Sequence, residues 1–378
     1  MIGKLDLATL QQIWWLIASV VGSLFLFLTF VQGGQTLLFT TARSVEEKAL
    51  IINSLGRKWE ITFTTLVLFG GALFAAFPLF YATSFGGAYW VWMLILFTFV
   101  LQAVSYEYRG KPGNLLGART YEIFLLVNGS IGLLLIGAAV GTFFTGSQFS
   151  LNNFNWVTWQ TPYHGLEAAF NPFSLALGVF LIFLARALGA MYLVNNVDHE
   201  QLDRHARKAA WLNFLWSLPF LLIVLGGLVF MQGYAVDPET GRVFLEKGKY
   251  LHNLIAMPLV ALLLVAGLGA VIYGVAATRF LGRSNGIWFG GIGTVLVGLS
   301  IFLTAGYHNT AFYPSAYDLQ ASLTIHNASS SHYTLTAMTY VALAVPFVLA
   351  YIAYVWKQMD SRKLSLAELT GEDANDMY

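Results

Sequence analysis

Long apolar stretches recur nine times along the chain, and the loops between them carry most of the charged residues. A helix needs about 20 apolar residues to cross a hydrocarbon core of roughly 30 Å. Strands of a membrane barrel would instead alternate in polarity over about ten residues each, so these runs predict helices, which pair their backbone polar groups internally. The predicted fold class is therefore all-α, a polytopic integral membrane protein. We place the predicted helices at residues 14–32, 61–83, 87–106, 120–144, 171–194, 209–231, 252–277, 287–306 and 334–356.

The composition agrees with a bilayer as the solvent. Hydrophobic residues make up 57% of the chain and charged residues 10%, whereas a soluble protein carries about 25% charged residues. The chain has no cysteine, which excludes disulfides, thiolate metal sites and cysteine nucleophiles. The net charge of +1 predicts no nucleic acid partner. The longest loops, at 145–170 and 307–333, are too short for a soluble domain, so residues 1–378 are interpreted as a single transmembrane domain.

The distribution of lysine and arginine predicts an orientation. Basic residues collect in cytoplasmic loops, and they do so here if the loop after the first span is cytoplasmic. The outer loops then hold only Lys4 and the trio Arg242, Lys247 and Lys249. This topology predicts an outer N-terminus and a cytoplasmic C-terminus, with the first span a retained helix rather than a signal peptide. The predicted cytoplasmic residues are Arg43, Lys48, Arg57, Lys58, Arg109, Lys111, Arg119, Arg204, Arg207, Lys208, Arg279, Arg283, Lys357, Arg362 and Lys363.

Aromatic residues are frequent in the two longest loops, both of which face outward in this topology. Such residues lie at the headgroup level of many membrane proteins as an aromatic belt. The candidate belt residues are Trp156, Trp159, Tyr163, Tyr307, Tyr313 and Tyr317. The acidic tail is predicted to be disordered. Its acidic residues are Glu368, Glu372, Asp373 and Asp376.

Four ionisable residues fall within or at the edge of predicted spans, where each requires a partner or a task. They are Glu60, Glu107, Glu122 and Arg186, and the orientation places all four in the cytoplasmic half. Arg186 precedes the predicted end of its helix by about 12 Å of rise. Two interpretations of Arg186 stay open: an ion pair with Glu60 or Glu107, or a contact with a cofactor or a partner subunit. Glu122 is interpreted as an acid in the first helical turn, beside Arg119.

Two carboxylates and two amides form a candidate proton path. Glu60 and Glu107 share a predicted depth with Gln32 and Gln35, and a carboxylate can relay a proton through water. The alternative is that both acids are simply interfacial. Trp59, directly before Glu60, is a candidate contact residue of the same region.

The histidines are placed poorly for a haem. A transmembrane haem usually needs an axial His, Met or Cys that faces the bundle interior, and we expect none of the seven histidines to lie deep in a helix. Met231 and Met257 are interpreted as packing residues. We therefore predict that the chain binds no haem, no metal and no other cofactor. The histidines are His164, His199, His205, His252, His308, His326 and His332.

Several segments together resemble subunit II of the cytochrome bd quinol oxidases. They are Trp14-Trp15, INSLGRKWE (52–60), GGALFAAFP (70–78) with Tyr81, YEYRGK (106–111), NGSIGLLLIGAAVGTFFTG (128–146), NPF (171–173) and SLTIHNASS (322–330). Each segment alone is weak, but their order and spacing are specific, and the resemblance covers nearly the whole chain.

The resemblance implies two four-helix bundles and a peripheral helix, paired with a similarly folded subunit I in a bacterial cytoplasmic (inner) membrane. In that family, haem b558, haem b595 and haem d belong to subunit I. The complex oxidises quinol near the outer face, reduces dioxygen to water, and takes its protons from the cytoplasm. The resemblance leaves open a small single-helix accessory subunit and a structural quinone or lipid.

The chain departs from the family pattern at several candidate positions. Glu60 and Glu107 stand where many members carry aspartate, so both carboxylates are kept. Gln32 and Gln35 replace two acids, and an amide cannot carry a proton as a carboxylic acid does. The implied function is a haem-free, proton-conducting subunit of a quinol oxidase. The alternative is a secondary transporter in which Arg186 binds a small anion at the midplane.

Overall fold

The computed structural model describes residues 2–111 and 113–369. Within these residues, nine helical segments are long and apolar enough to cross a membrane, which confirms the predicted all-α fold. The tail residues Glu372, Asp373 and Asp376 lie outside the described residues. The nine segments are Leu7–Phe39, Val45–Ala76, Tyr89–Tyr108, Ala118–Thr145, Pro172–Asn196, Glu200–Phe230, Pro258–Phe280, Gly286–Gly306 and His332–Met359.

Some spans are single α-helices, and others are assembled from shorter ones. In chain order the α-helices are α1 (Leu7–Leu28), α2 (Phe30–Gln35), α3 (Val45–Gly56), α4 (Trp59–Ala76), α5 (Pro78–Tyr81), α6 (Tyr89–Tyr108), α7 (Ala118–Val127), α8 (Leu133–Thr145), α9 (Pro172–Asn196), α10 (Glu200–Phe230), α11 (Lys249–Ala256), α12 (Pro258–Phe280), α13 (Gly286–Gly306), α14 (His332–Ala342), α15 (Val345–Met359) and α16 (Leu366–Leu369). Short 3₁₀ helices lie at Ile2–Lys4, Thr36–Phe39, Leu166–Phe170 and Leu319–Ala321, and π-helical turns at Ala82–Gly86 and Asn128–Gly132.

Several helix boundaries differ from the predicted ones: the first span is Leu7–Phe39 rather than 14–32, and the second is Val45–Ala76 rather than 61–83. Two further differences have identifiable reasons. The sixth span begins at Glu200 rather than near residue 209, because a polar first turn with Glu200 and Asp203 extends the helix beyond its apolar part. The Leu202 N–H donates to His199 Nδ1 at 3.2 Å and so caps this helix. A proline causes the second of these differences, in the predicted helix at 252–277. The predicted helix at 252–277 is two helices, since Pro258 begins α12 and cannot continue the hydrogen bonds of α11.

Two small hairpins cover the end of the molecule that the predicted topology places outside. β1 (Phe149–Leu151) pairs antiparallel with β2 (Val157–Trp159), and β3 (Gln232–Val236) with β4 (Val243–Lys247). Of the candidate belt residues, Trp156, Tyr163 and Tyr317 are exposed, but Tyr313 lies in the core. Its ring contacts Phe80 edge-on at a centroid distance of 5.0 Å, and burial raises the pKa of Tyr313 to about 12.

Helix contacts define a continuous interior. α9 packs against α2, α8 and α10, and α1 packs against α4 and α13. α12 and α13 pair closely, while α14 touches α1 and α4 at the margin. α14 and α15 bury little: of their described residues only Leu335 is buried. The implied division into two four-helix bundles stays a prediction.

Candidate functional site

Five buried side chains meet between α2, α6 and the α7–α8 segment and form what we call the amide cluster: Gln32, Gln35, Gln102, Tyr106 and Asn128. The Gln35 Oε1 accepts hydrogen bonds from Gln102 Nε2 at 2.9 Å and from the Tyr106 hydroxyl at 3.1 Å. The Gln35 Nε2 donates to Asn128 Oδ1 at 2.7 Å. Gln32 Nε2 donates to Gln102 Oε1 at 3.3 Å. The structure therefore brings together the two predicted glutamines and adds three side chains that sequence reasoning missed.

Two glycines fix the direction in which the glutamines of α2 point. A Cβ on Gly33 would lie 2.1 Å from the carbonyl carbon of Ala185, and a Cβ on Gly189 would lie 2.4 Å from the Cα of Gly34. Only small residues permit such close approach of two helix backbones. With the glycine side of α2 held against α9, its glutamines are directed towards α6 and α7.

Trp59 and Tyr106 link the amide cluster to two surface carboxylates. Their rings stack with a centroid distance of 6.2 Å and an interplanar angle of 12°. Glu60 follows Trp59 and Glu107 follows Tyr106 in sequence, and both carboxylates are exposed. Glu107 lies 3.7 Å from Lys111, with both side chains more than half exposed. The two predicted acids thus flank the stacked pair but lie outside the amide cluster.

Two buried polar atoms in this region have no hydrogen-bond partner among the described residues. They are Trp59 Nε1 and Gln32 Oε1. Buried polar atoms in native proteins are usually paired with protein groups or ordered water. The space between the surface carboxylates and the amide cluster is therefore chemically suited to internal water.

Glu122 forms a second polar centre at the cytoplasmic end assigned from the sequence. One carboxylate oxygen lies 2.7 Å from Lys48 Nζ and the other 2.8 Å from Arg109 Nη2. The structure thus pairs Glu122 with these two cations rather than with Arg119, because Lys48 comes from α3 and Arg109 from the end of α6. A pocket of about 590 Å³ opens beside the three charges. Glu122 ties together the ends of three spans.

Arg186 has no carboxylate partner within the described residues, and the predicted ion pair with Glu60 or Glu107 is wrong. Its Nε donates to Asn213 Oδ1 at 2.7 Å. Its terminal nitrogens donate to the hydroxyls of Thr36 and Thr40. The physical reason is placement: α9 packs against the glycine side of α2, whereas both glutamates lie exposed on α4 and α6.

Lys58 is a buried cation that sequence reasoning missed. It was counted among the cytoplasmic loop residues, but its side chain is 0% exposed and lies 3.0 Å from Asp360. The ammonium also lies 5.2 Å from the centre of the Trp356 ring, and Asn196 Nδ2 donates to Asp360 at 3.1 Å. The pair joins the second span to the end of the last one.

The histidines and methionines of the described residues lie mostly outside the middle of the spans. All seven histidines lie in loops or near helix ends. Met231 and Met257 flank helix boundaries, and the buried Met191 packs closely against α13, where a Cβ on Gly290 would lie 2.7 Å from its Cε. Among the described residues there is also no group of three or more His, Asp or Glu that could hold a metal ion.

Together these features define a class: a polytopic helical membrane subunit whose interior holds a hydrogen-bonded amide cluster. Family comparison gives the particular identity. The family described as cytochrome bd terminal oxidase subunit II matches residues 10–359, so the chain belongs to this family. It is a membrane subunit of a terminal oxidase of the respiratory chain, an oxidoreductase. This confirms the resemblance read from the sequence and favours the oxidase over the anion transporter.

Similar proteins agree over nearly the full length. The chain is 29% identical over 374 residues to cytochrome bd-I ubiquinol oxidase subunit 2 of Escherichia coli (strain K12), covering 95% of this chain and 96% of the relative. It is 26% identical over 371 residues to cytochrome bd ubiquinol oxidase subunit 2 of Bacillus subtilis (strain 168), covering 94% and 97%. The solved bd oxidase from Geobacillus thermodenitrificans has a similar fold, with a TM-score of 0.56, 14% identity, and coverage of 93% and 97%.

Proposed function

We propose that this chain is the haem-free subunit of a bd-type quinol oxidase in the bacterial cytoplasmic membrane. In this proposal it pairs with a subunit I that carries haem b558, haem b595 and haem d, where quinol is oxidised and dioxygen is reduced to water. The observation that carries the proposal is the interior itself. It holds glutamine, asparagine and tyrosine where a haem-bearing bundle would need an axial ligand and a cavity.

The surface for subunit I is proposed to consist of α4, α6 and the α14–α15 segment. We call it the partner face. α4 and α6 are neighbours, since Phe63 and Phe99 contact each other at a centroid distance of 5.4 Å, and α14 touches α4. Large apolar side chains lie exposed on all three elements, as expected for a buried interface or lipid contact. They include Val67, Leu68, Phe74, Met93, Phe97, Val100, Val341, Phe347 and Val348.

Proton uptake is proposed to run along the edge of this face. Glu60 and Glu107 stand exposed on α4 and α6, so a subunit that covers the face would enclose them with its own polar groups. Their carboxylates would take up protons, because a carboxylate can be protonated and deprotonated near neutral pH when it is partly desolvated. Gln32 and Gln35 would orient Tyr106 and internal water without carrying protons themselves.

An apolar cavity of about 130 Å³, lined by α1, α8, α9, α10, α12 and α13, supports a further part of the proposal. Its lining includes Leu26, Leu181, Leu184, Leu218 and Ile301, and none of its lining residues is charged. An apolar lining of this kind accepts a hydrocarbon chain, and it has no charged group that would bind a polar ligand. We therefore propose that the tail of a lipid or quinone enters here.

The proposal is tested by purifying the complex through a tag on this chain and recording its reduced-minus-oxidised spectrum. We expect haem bands that travel with one second large subunit, and a colourless product when this chain is produced alone. Haem retained by the isolated chain would disprove the haem-free assignment. A solitary, colourless protein from the native membrane would disprove the pairing with subunit I.

A further inference from the structure

Arg186 is a membrane-embedded cation whose neighbours are all neutral. It lies in α9 ten residues before the helix ends at Asn196, which corresponds to about 15 Å of helical rise. The guanidinium donates to Asn213, Thr36 and Thr40, and no Asp or Glu oxygen of the described residues forms an ion pair with it. A guanidinium has five N–H donors, so two remain available. Charged side chains within membrane spans usually pair with an opposite charge or with oxygen acceptors, and only the acceptors are present here.

The guanidinium is accessible from the surface on one side. Thr40, which accepts from Arg186 Nη2 at 3.1 Å, is exposed, and the neighbouring Phe39 is 39% exposed. On the other sides, Thr36 and Asn213 are buried. The two buried acceptors hold the guanidinium in one orientation, and the exposed Thr40 marks the side from which a ligand can reach it.

An apolar surface lies one helical turn away from Arg186, towards the membrane midplane. Phe183 stacks on Trp216 at a centroid distance of 6.5 Å and on Phe220 at 6.1 Å. Trp216 is 62% exposed. Phe183 comes three residues before Arg186, and Trp216 comes three residues after Asn213 on the antiparallel helix α10, so both lie on the same side of the guanidinium. Leu212 and Leu215 extend this exposed apolar strip.

From this arrangement we infer that Arg186 binds the phosphate of a glycerophospholipid in the cytoplasmic leaflet. Arginine binds phosphate oxygens through pairs of N–H groups, and Arg186 has two N–H groups left for this, one on each terminal nitrogen. The exposed Thr40 hydroxyl is placed to donate to the same phosphate, and an acyl chain would lie along Trp216 and Leu215. The site is formed by α9, α10 and the end of the first span at Thr36 and Thr40, none of which belongs to the proposed partner face, so a lipid rather than a residue of subunit I is the matching anion.

The first experiment counts lipids on the intact complex. Native mass spectrometry of the purified complex should show one tightly bound phospholipid fewer in Arg186→Gln than in the unmodified protein. The matched control is Arg204→Gln, since Arg204 is an exposed cytoplasmic arginine paired with Glu200 within α10; it should keep the full lipid count. Equal lipid counts in Arg186→Gln and the unmodified protein would overturn the inference, and would point instead to a protein anion.

Two further measurements separate folding and free phosphate from lipid binding. If Arg186→Gln does not assemble, Thr40→Val leaves the guanidinium in place and should weaken retention of the lipid about tenfold; unchanged retention would overturn the inference. For the source of the phosphate, delipidated complex is given dihexanoyl phosphatidic acid or inorganic phosphate at equal concentration. We expect the phosphatidic acid to bind in a way that depends on Arg186, and the inorganic phosphate not to do so. Equal binding of inorganic phosphate would show a free-anion site and overturn the assignment to a lipid.

Discussion

The ammonium of Lys58 lies 3.0 Å from the carboxylate of Asp360, although 302 positions separate the two residues. The Lys58 side chain is 0% exposed and that of Asp360 is 10% exposed, so this ion pair is largely withdrawn from water. Tyr192 and Asn196 of α9 donate to the same carboxylate. The pair therefore fastens the end of the last span, which buries little elsewhere, to the second and fifth spans.

Removal of one partner should destabilise the protein more than removal of both. Lys58→Met leaves the Asp360 carboxylate without its cation, and breaking a buried pair in this way costs about 3–5 kcal/mol. Lys58→Met combined with Asp360→Asn removes both charges and should recover part of that loss. Thermal unfolding of the solubilised complex measures this, with Lys111→Met, from the exposed pair with Glu107, as the control. A double variant no more stable than Lys58→Met would contradict the role of the ion pair.

Close packing at Gly33 gives a second prediction. Gly33→Ala places a methyl group within 2.1 Å of the Ala185 backbone, so α2 must move away from α9 and carry Gln32 and Gln35 with it. Overpacking of this kind costs about 1–3 kcal/mol. Gly269→Ala in α12 is the matched control, because a Cβ there meets nothing within 4 Å. The yield of assembled complex and its unfolding temperature should fall for Gly33→Ala alone; equal values for both variants would show that this contact is not tight.

The hydrogen-bond pattern around Gln35 predicts that an acid is poorly tolerated there. Its Oε1 accepts two hydrogen bonds, but its Nε2 donates to Asn128 Oδ1 and to the Leu125 carbonyl. Gln35→Glu replaces that donor with an acceptor, so the Asn128 Oδ1 and the Leu125 carbonyl oxygen both face a carboxylate. A buried polar group without a partner costs about 1–3 kcal/mol. We expect lower thermal stability for Gln35→Glu. Adding Asn128→Asp in a double variant should not restore the stability of the unmodified protein. Stability equal to the unmodified protein would mean that the cluster rearranges.

The sequence predicts some residues of the amide cluster but not how they meet, because single polar residues in apolar runs are visible in a sequence and contacts between helices are not. The spans, and Gln32 and Gln35 within the first of them, stand out as polar residues in apolar runs. Gln102 in VLQAVS and Asn128 in LVNGS give the same signal, so both could have been found. Their convergence on Gln35 could not, because it depends on α2 being turned by its glycines. Lys58 was hidden for another reason: a lysine beside Arg57 at a span boundary is indistinguishable from a solvated cytoplasmic residue until Asp360 is placed next to it.

Acid should weaken the outer hairpin at Glu246. Burial alone would raise the pKa of Glu246, but hydrogen bonding from His252 at 2.6 Å and the charge of Lys249 hold it below its ordinary value of 4.5. A carboxylate with a lowered folded-state pKa stabilises the fold above its unfolded-state pKa and loses this contribution as the pH falls through the folded-state value. The difference in unfolding temperature between the unmodified protein and Glu246→Gln should therefore be present at pH 6 and shrink below pH 4.5. A difference independent of pH would contradict the charge interaction.

Glu60 and Glu107 allow the proposed proton uptake to be tested by paired variants. Glu60 adjoins Trp59, whose ring stacks on Tyr106 and whose Nε1 has no partner among the described residues, whereas Glu107 lies beside Lys111 on the exposed end of α6. Glu60→Gln should therefore slow oxygen consumption by about 10²-fold or more, the scale of a lost proton-transfer group, with haem content unchanged. Glu107→Gln should have a smaller effect, because its carboxylate is already paired with Lys111. Glu60→Asp keeps the acid and should restore most of the rate, which a purely structural role of the longer side chain would not predict. Oxygen consumption with quinol is measured in the intact complex, together with the reduced spectrum, and unchanged turnover in Glu60→Gln would remove Glu60 from the path.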